Sequence, residues 1–212
     1  MYILNETINF PPVSRADQDG LLAIGGDLSV PRLVNAYNNG IFPWYGKDQP
    51  ILWFSPDPRM VLFPEDIRIS KSMRQLIRKN HFEITINQDF ESVIKNCASI
   101  PRPNQDDTWI VPEMQEAYLK LHKTGYAMSV EVWEDSILVG GLYGIWLDAK
   151  KIFCGESMFS KVSNASKYGF IGLIKILKAK GVRLIDCQVH TDHLASLGAK
   201  EISRAEFMEF LK

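Results

Sequence analysis

A series of strand patterns followed by one long helix constrains most strongly what this chain can fold into. Residues 127–133, 137–147 and 151–159 have the apolar, β-branched and aromatic character of strands. Residues 164–180 then place apolar side chains at helical spacing, and 182–189 again has the pattern of a strand. Several strands, a helix and a further strand in this order predict a mixed α/β domain.

Shorter elements are expected around this series. Capping residues and apolar spacing predict helices at 31–39, directly after Ser70, at 89–99, at 112–123 and at the C-terminus, and alternation predicts a strand at 82–86.

The first 57 residues differ in composition from the rest of the chain. They are dense in Pro, Gly and aromatic residues, and the glycines of 20–27 predict turns there. Two prolines in SPDPR, at 55–59, disfavour regular structure and predict a boundary. We therefore expect a small N-terminal domain at 1–57 and a larger domain at 58–212.

The composition excludes several classes of protein. Hydrophobic residues make up 46% of 212 positions and charged residues 23%, as in a globular protein with a substantial core. The start of the chain has no signal-peptide pattern and no segment has the length of a transmembrane helix, so we expect a cytoplasmic protein without membrane contact. Cys97, Cys154 and Cys187 lack CxxC spacing, which predicts neither a disulfide framework nor a metal site.

The net charge limits how the chain can meet RNA. It is −1, with a pI of about 6.4, whereas proteins that coat nucleic acid are far more basic. Any contact with RNA must therefore come from a local patch and a pocket.

Two strand segments carry polar side chains that suggest chemistry. Glu156 lies between apolar neighbours in GESMFS, where a carboxylate is costly unless it is paired or functional. Asp186 and Gln188 alternate in LIDCQ, so both point to the same face of a strand and can act on one ligand. The alternative for each segment is a polar strand face or edge in contact with water.

Aromatic and basic side chains form two further candidate sites. Trp44 and Trp53 lie in segments rich in proline that are expected to be loops, where a large ring can stack on a base, although each aromatic residue taken alone is more typical of a core. Lys71, Arg74 and Arg78 form a stripe on one predicted helix, followed by Lys79, in a segment without acids. This stripe is either a phosphate-binding surface or an ordinary solvated face.

Together these segments resemble the leucyl/phenylalanyl-tRNA–protein transferase family. The similarity runs across nearly the whole chain in the family's order, through GLLAIGGDLS (20–29), GIFPW (40–44), WFSPDPR (53–59), TWI (108–110), EAYLKLH (116–122), SVEVW (129–133), LVGGLYG (138–144), FCGESMFS (153–160), NASK (164–167) and LIDCQ with HLASLGA (184–199). Several blocks in one order are far more specific than any single motif.

The resemblance implies a fold and a set of site residues. The fold would be a small N-terminal domain on a C-terminal domain similar to GNAT-type acetyltransferases. The reaction centre would fall on Asp186 and Gln188, with Glu156 as a further site glutamate. The remaining substrate-binding residues would be the adenosine-stacking aromatics Tyr37, Trp44 and Trp109, with Tyr118 nearby, and the amino-acid side-chain pocket of Leu142, Met158, Phe170, Leu173, Leu177 and Ile185. Leu173 and Leu177 stand where some members carry aromatics, which bears on the preference between Leu and Phe.

The resemblance also implies the reaction and its partners. The enzyme would move Leu or Phe, and to some degree Met, from aminoacyl-tRNA to the N-terminal α-amino group of proteins beginning with Lys or Arg. The product would enter N-end-rule degradation. No cofactor or metal would be needed, because the aminoacyl ester is already activated, and the protein would act as a monomer.

Two other functions are compatible with parts of the sequence. An acetyl-CoA-dependent acetyltransferase would share the fold, but the turn before the 164–180 helix, SKVSNASK, has no glycine to hold a pyrophosphate. A non-catalytic RNA-binding module would explain the basic stripe but not the Asp186 and Gln188 face.

Overall fold

A computed structural model describes residues 2–100 and 108–212 of the chain, and within them it contains two β-sheets and seven α-helices. The strands are β1 (Tyr2–Leu4), β2 (Leu21–Gly25), β3 (Phe42–Pro43), β4 (Leu52–Phe54), β5 (Arg59–Leu62), β6 (Glu83–Ile86), β7 (Ala127–Glu134), β8 (Ile137–Leu147), β9 (Ile152–Ser160), β10 (Leu184–Gln188) and β11 (Lys200–Ile202). The helices are α1 (Val30–Asn38), α2 (Lys71–Arg78), α3 (Phe90–Ser99), α4 (Pro112–Lys123), α5 (Ala165–Ala179), α6 (Asp192–Ser196) and α7 (Arg204–Phe210). The predicted mixed α/β class is confirmed.

The two sheets divide the chain unequally. The strands between residues 2 and 54 form a four-stranded sheet in the order β1-β2-β4-β3. The later strands form a seven-stranded sheet in the order β11-β5-β10-β9-β8-β7-β6. In the larger sheet β9 and β10 are parallel, whereas every other neighbouring pair is antiparallel. A parallel pair needs a crossover, and α5 supplies it.

The parallel strands separate partway along their length. Their pairing ends where Asp186 lies opposite Cys154. β9 nevertheless continues to Ser160 while remaining paired with β8, and β10 continues to Gln188. The sheet is therefore open between the ends of β9 and β10, and we call this opening the cleft.

Apolar clusters cover both faces of the larger sheet. One cluster contains Tyr143 and Ile145 of β8 together with α1, α3, α4 and the smaller sheet. A second contains Leu142 of β8, together with Phe170 and further residues of α5, and a third contains Val139 of β8 with other residues of α5. The alternation of β8 thus places successive side chains in opposite layers, as a strand buried on both faces requires. The prediction of Trp53 as an accessible loop aromatic is wrong, because its side chain is 0% exposed in β4. It belongs to the first cluster, which therefore joins the two sheets.

Glycines allow α5 to lie close against the sheet. A Cβ atom added to Gly169 would lie 2.7 Å from Cγ2 of Val132, and one added to Gly172 would lie 2.3 Å from Cδ1 of Ile84. A side chain at either position would require Val132 or Ile84 to move. α5 therefore lies close against β7 and β6.

The predicted elements between residues 70 and 188 are all present, with ends that differ by one or two positions. Ser70 caps α2 through the N–H of Met73, as expected. The predicted turns at 20–27 are wrong in part, because Leu21–Gly25 is strand β2. Gly20 before the strand, and Gly25 and Gly26 at its C-terminal end, have positive φ, so the turns flank β2. No helix in the described residues is long and apolar enough to cross a membrane.

Candidate active site

Asp186 and Gln188 lie at the cleft end of β10, but they do not share one regular face of the strand. Asp186 lies opposite Val61 and Gln188 opposite Met60, and these two neighbours pack in different apolar clusters. Ile185 and Cys187, which alternate with them, pack in the cluster against α5. The pairing of β10 with β5 is irregular between Asp186 and Gln188, and Gln188 has a φ of 63°, in the left-handed region. Oδ1 of Asp186 accepts a hydrogen bond from the backbone N–H of Gln188 at 3.0 Å. Asp186 therefore holds the main chain of Gln188 and makes no hydrogen bond to its side-chain amide.

A buried arginine neutralises Asp186. Nε and Nη2 of Arg59, the first residue of β5, donate to the two carboxylate oxygens of Asp186 at 2.8 Å and 2.7 Å. Both side chains are 1% exposed. A bidentate geometry of this kind is what allows an ion pair to persist in the interior.

A second carboxyl group holds the side chain of Gln188. Nε2 of Gln188 donates to Oε1 of Glu156 at 2.9 Å, across the cleft from β10 to β9. The hydroxyl of Tyr118 donates to Oε2 of Glu156 at 2.9 Å, and the hydroxyls of Tyr118 and Tyr37 are hydrogen-bonded to each other. The amide nitrogen of Gln188 is thus occupied by Glu156, while its carbonyl oxygen is left to accept a hydrogen bond.

Glu156 titrates near neutrality in this setting. Burial raises its pKa to about 7, although the hydrogen bonds from the two tyrosines and from Gln188 act in the opposite direction. Burial also raises the pKa of Tyr37 and of Tyr118 well above the usual range, so both phenols stay protonated. The network therefore contains one group whose charge changes near physiological pH.

A cavity of about 620 Å³ opens at the cleft, beside Gln188 and Glu156. Its predicted apolar residues are Leu142, Met158, Phe170 and Ile185, which the structure brings together on one wall. Leu173 and Leu177 do not line this cavity and are fully buried behind it on α5. The structure therefore places these two leucines in the core behind the pocket.

The predicted aromatics fall into two groups. Trp44 and Trp109 line both this cavity and an adjoining one of about 320 Å³. Trp44 is 38% exposed, so its ring is open to a ligand. Tyr37 and Tyr118 are 2% and 0% exposed and present no ring face to either cavity. Their hydroxyl groups belong to the network around Glu156 instead, so the structure gives them a different place from the predicted one.

The basic residues lie on a separate surface. Lys71, Arg74 and Arg78 are exposed on α2, and Lys79 follows its last residue. Among the described residues, no acidic side chain forms an ion pair with any of the four, whereas Lys95 and Lys120 are paired with glutamates on their own helices. The stripe is thus a free positive surface, and it does not line either cavity at the cleft.

Arg59 is the residue of this site that the sequence analysis did not identify. It appears there only within the WFSPDPR block. A signal was present, since the segment Arg59–Leu62 sets one cation before three apolar residues, and Asp186 is a single acid within an apolar strand. Buried charges require partners, but nothing in the sequence says that two residues 127 positions apart are those partners.

Known proteins match this chain over its full length. The family model described as leucyl/phenylalanyl-tRNA protein transferase matches residues 61–212, and the model of that family's N-terminal domain matches residues 26–57. A leucyl/phenylalanyl-tRNA–protein transferase from Christiangramia forsetii is 62% identical over 211 residues, covering 100% of both chains. A protein of the same name from Flavobacterium johnsoniae is 58% identical, covering 100% of this chain and 99% of its own.

Similar solved structures are more distant. A GCN5-related N-acetyltransferase from Kribbella flavida is 10% identical with a TM-score of 0.42, covering 81% of this chain and 59% of that one. The structure of L-PGS from Bacillus licheniformis is 12% identical with a TM-score of 0.43, covering 82% of this chain and 57% of that one.

Proposed function

The chain belongs to the leucyl/phenylalanyl-tRNA–protein transferase family, and from this membership we propose its donor, its acceptor and the role of each site residue. It is an aminoacyltransferase, which moves an amino acid from aminoacyl-tRNA to a protein. The donor carries Leu or Phe, with Met as a weaker alternative. The acceptor is the N-terminal α-amino group of a protein that begins with Lys or Arg.

The chemistry requires positioning more than a strong base. The α-amino group attacks the carbonyl carbon of the aminoacyl ester, a peptide bond forms, and the ribose oxygen leaves with a proton. An α-amino group has a pKa of about 7.7–8.0, so roughly a tenth of it is neutral at pH 7. Gln188 cannot titrate, but its carbonyl oxygen accepts a hydrogen bond from the amine and orients it toward the ester.

One observation carries this assignment. Gln188 is held at both its main chain and its side-chain amide, by Asp186 and by Glu156, at the wall of a cavity with an apolar side. An amide fixed in this way is preorganised, so little reorganisation is needed during the reaction. The site thus places an immobile hydrogen-bond acceptor beside an apolar pocket that suits the side chain of Leu or Phe.

The donor is recognised by three surfaces. Trp44, from the proposed N-terminal domain at 1–57, and Trp109 stack on the terminal adenine, and the wall containing Met158 contacts the amino-acid side chain. Such a pocket discriminates by about 1–3 kcal/mol per methylene, which accounts for the acceptance of several apolar residues. The α2 stripe contacts acceptor-stem phosphates.

The acceptor's Lys or Arg side chain needs a negative group. Glu156 and Asp186 are the acidic residues of the site, but Asp186 is neutralised by Arg59 and does not line the cavity. Glu156 lines the cavity and is ionised above about pH 7, so it is the better candidate. The new N-terminal Leu or Phe directs the product to N-end-rule degradation in the cytoplasm, and the enzyme acts as a monomer without a cofactor.

Transfer of labelled leucine tests the proposal directly. The protein is incubated with radiolabelled Leu-tRNA and a peptide that begins with Arg, and labelled peptide is the expected product. The same peptide with an acetylated N-terminus is the control, since it lacks the nucleophile. Absence of labelled peptide, or equal labelling of a peptide that begins with Asp, would overturn the proposal. Binding of CoA in a titration would favour an acetyltransferase instead.

A further inference from the structure

Arg59 borders the reaction centre, and the proposed function assigns it no task. It is 1% exposed and does not line the cavity, so it cannot touch either substrate. A buried cation is costly unless its surroundings hold it. The contacts of Arg59 indicate which part of the reaction centre it holds in place.

Three elements fix the plane of the Arg59 guanidinium. The rings of Phe42 and Phe207 lie 4.8 Å and 4.6 Å from its Cζ. Nη1 donates to the carbonyl oxygen of Gly40 at 3.1 Å. The guanidinium is therefore held by the segment before β3, by β3 and by α7, and its remaining donors point at Asp186.

Because Arg59 fixes the Asp186 carboxylate, that carboxylate also fixes the main chain of Gln188. A single oxygen, Oδ1, accepts from Nε of Arg59 at 2.8 Å and from the N–H of Gln188 at 3.0 Å. A left-handed conformation is unfavourable for a residue with a side chain, and it persists only where the surroundings impose it. The shared oxygen is such a constraint on Gln188.

We propose that Arg59 is a positioning residue for the transfer reaction. Its guanidinium fixes the Asp186 carboxylate, and that carboxylate holds Gln188 in the left-handed conformation that aims its side-chain amide across the cleft. Asp186 therefore acts through the main chain of Gln188 and does not contact the amine. The inference rests on the proposed function, because it assigns Gln188 to the reaction.

Arg59→Lys tests the geometry while keeping the charge. A lysine cannot reproduce the two parallel bonds or the flat contact between two rings. Since small displacements of a reacting group lower rates about 100-fold, kcat should fall by about that factor. The KM for Leu-tRNA should change by less than about threefold, because Arg59 makes no contact with the donor.

Arg32→Lys is the matched control. Arg32 is 0% exposed and pairs with Asp27 on the smaller sheet's side of the molecule, away from Gln188. Both variants are compared with the parent for thermal unfolding and for kcat and KM. We expect Arg32→Lys to lower stability and leave kcat near that of the parent.

A pair of variants on α7 tests the same idea without touching a charge. Phe207→Leu removes one ring from its place against Arg59, whereas Phe210→Leu removes a ring that packs on Phe63. We expect kcat to fall about tenfold in the first and to stay unchanged in the second. If Arg59→Lys does not fold, the comparison of Phe207→Leu with Phe210→Leu still tests the role of Arg59.

Several results would overturn the inference. They are a parental kcat in Arg59→Lys, an equal loss of kcat in Arg32→Lys, a rise in KM at constant kcat, or equal effects of the two phenylalanine variants. If the parent protein itself transfers no leucine, the proposed function fails instead, so the two failures are distinguishable.

Discussion

Nε2 of Gln188 lies 2.9 Å from Oε1 of Glu156, and this hydrogen bond bridges two parallel strands where they have separated. The amide can be held in this way only while Glu156 accepts the bond. Since the pKa of Glu156 is about 7, its charge changes in the physiological range, and the bond from Gln188 is stronger when Glu156 is ionised.

Glu156→Gln should therefore raise stability most at alkaline pH. In the unfolded chain Glu156 ionises at its usual pKa, near 4.5, whereas in the folded protein it ionises near 7. Between these values the folded protein holds the extra proton, so its stability falls as pH rises from about 4.5 to 7 and stays low above that. At pH 8 the variant should be more stable by up to about 3 kcal/mol.

Urea unfolding of parent and variant at pH 5 and pH 8 measures this effect. The difference in unfolding free energy should be larger at pH 8 than at pH 5. An equal difference at both values would mean that Glu156 has an ordinary pKa.

Asp186→Ala and Gln188→Ala should both lower transfer strongly with little change in tRNA affinity, but they should differ in stability. The first leaves Arg59 buried without its partner, which costs about 3–5 kcal/mol, whereas the second removes only the bond to Glu156. Thermal unfolding and single-turnover transfer on the same preparations separate the two effects. Parental turnover in either variant would contradict its assignment to the reaction centre.

Asp186 and Gln188 also show which features of the site can be predicted from the sequence and which cannot. Strand alternation predicts a shared face for them, but the pairing with β5 is irregular between the two residues, so that Gln188 lies opposite Met60 and the alternation is interrupted. The left-handed conformation of Gln188 was not predictable, because it depends on an oxygen shared with Arg59, 127 residues from Asp186 in sequence. Side-chain alternation can be predicted from one strand alone, whereas the conformation of Gln188 depends on the pairing of β10 with β5.

The aromatic residues show a similar limit. The resemblance placed Tyr37, Tyr118, Trp44 and Trp109 together at the adenosine site, yet the first two are buried and the others line the cavities. Burial of a tyrosine depends on the polar partner available to its hydroxyl, here Glu156 for Tyr118, and that partner is set by tertiary structure.

Met158→Ala should change the choice between leucine and phenylalanine. Its side chain lines the apolar wall of the cavity, so truncation enlarges the pocket and weakens its packing against the smaller donor side chain. Competition between Leu-tRNA and Phe-tRNA should shift toward Phe. Leu177→Ala is the control, since this fully buried side chain does not line the cavity and its truncation should cost about 2–5 kcal/mol of stability. An unchanged ratio in Met158→Ala would remove Met158 from the pocket.

Phosphate binding and adenosine binding should be separable, because the α2 stripe and the cleft cavities are different surfaces. Arg74 and Arg78 lie on α2, away from both cleft cavities, so replacing both with Gln should weaken tRNA binding without affecting the reaction centre. The slope of log affinity against log salt should flatten by about one unit for each phosphate that the variant no longer neutralises.

A minimal donor, leucyl-adenosine, lacks the acceptor stem and should react equally well with this variant and the parent. Lys175→Gln with Lys178→Gln is the matched control, because it removes two exposed charges from α5 instead. Trp109→Ala should impair both donors, since each contains the stacked adenine, whose stacking contributes about 1–3 kcal/mol. If the arginine variant were also less active with leucyl-adenosine, the stripe would belong to the active site or to the fold, because a surface that binds only phosphates cannot affect a donor that has none.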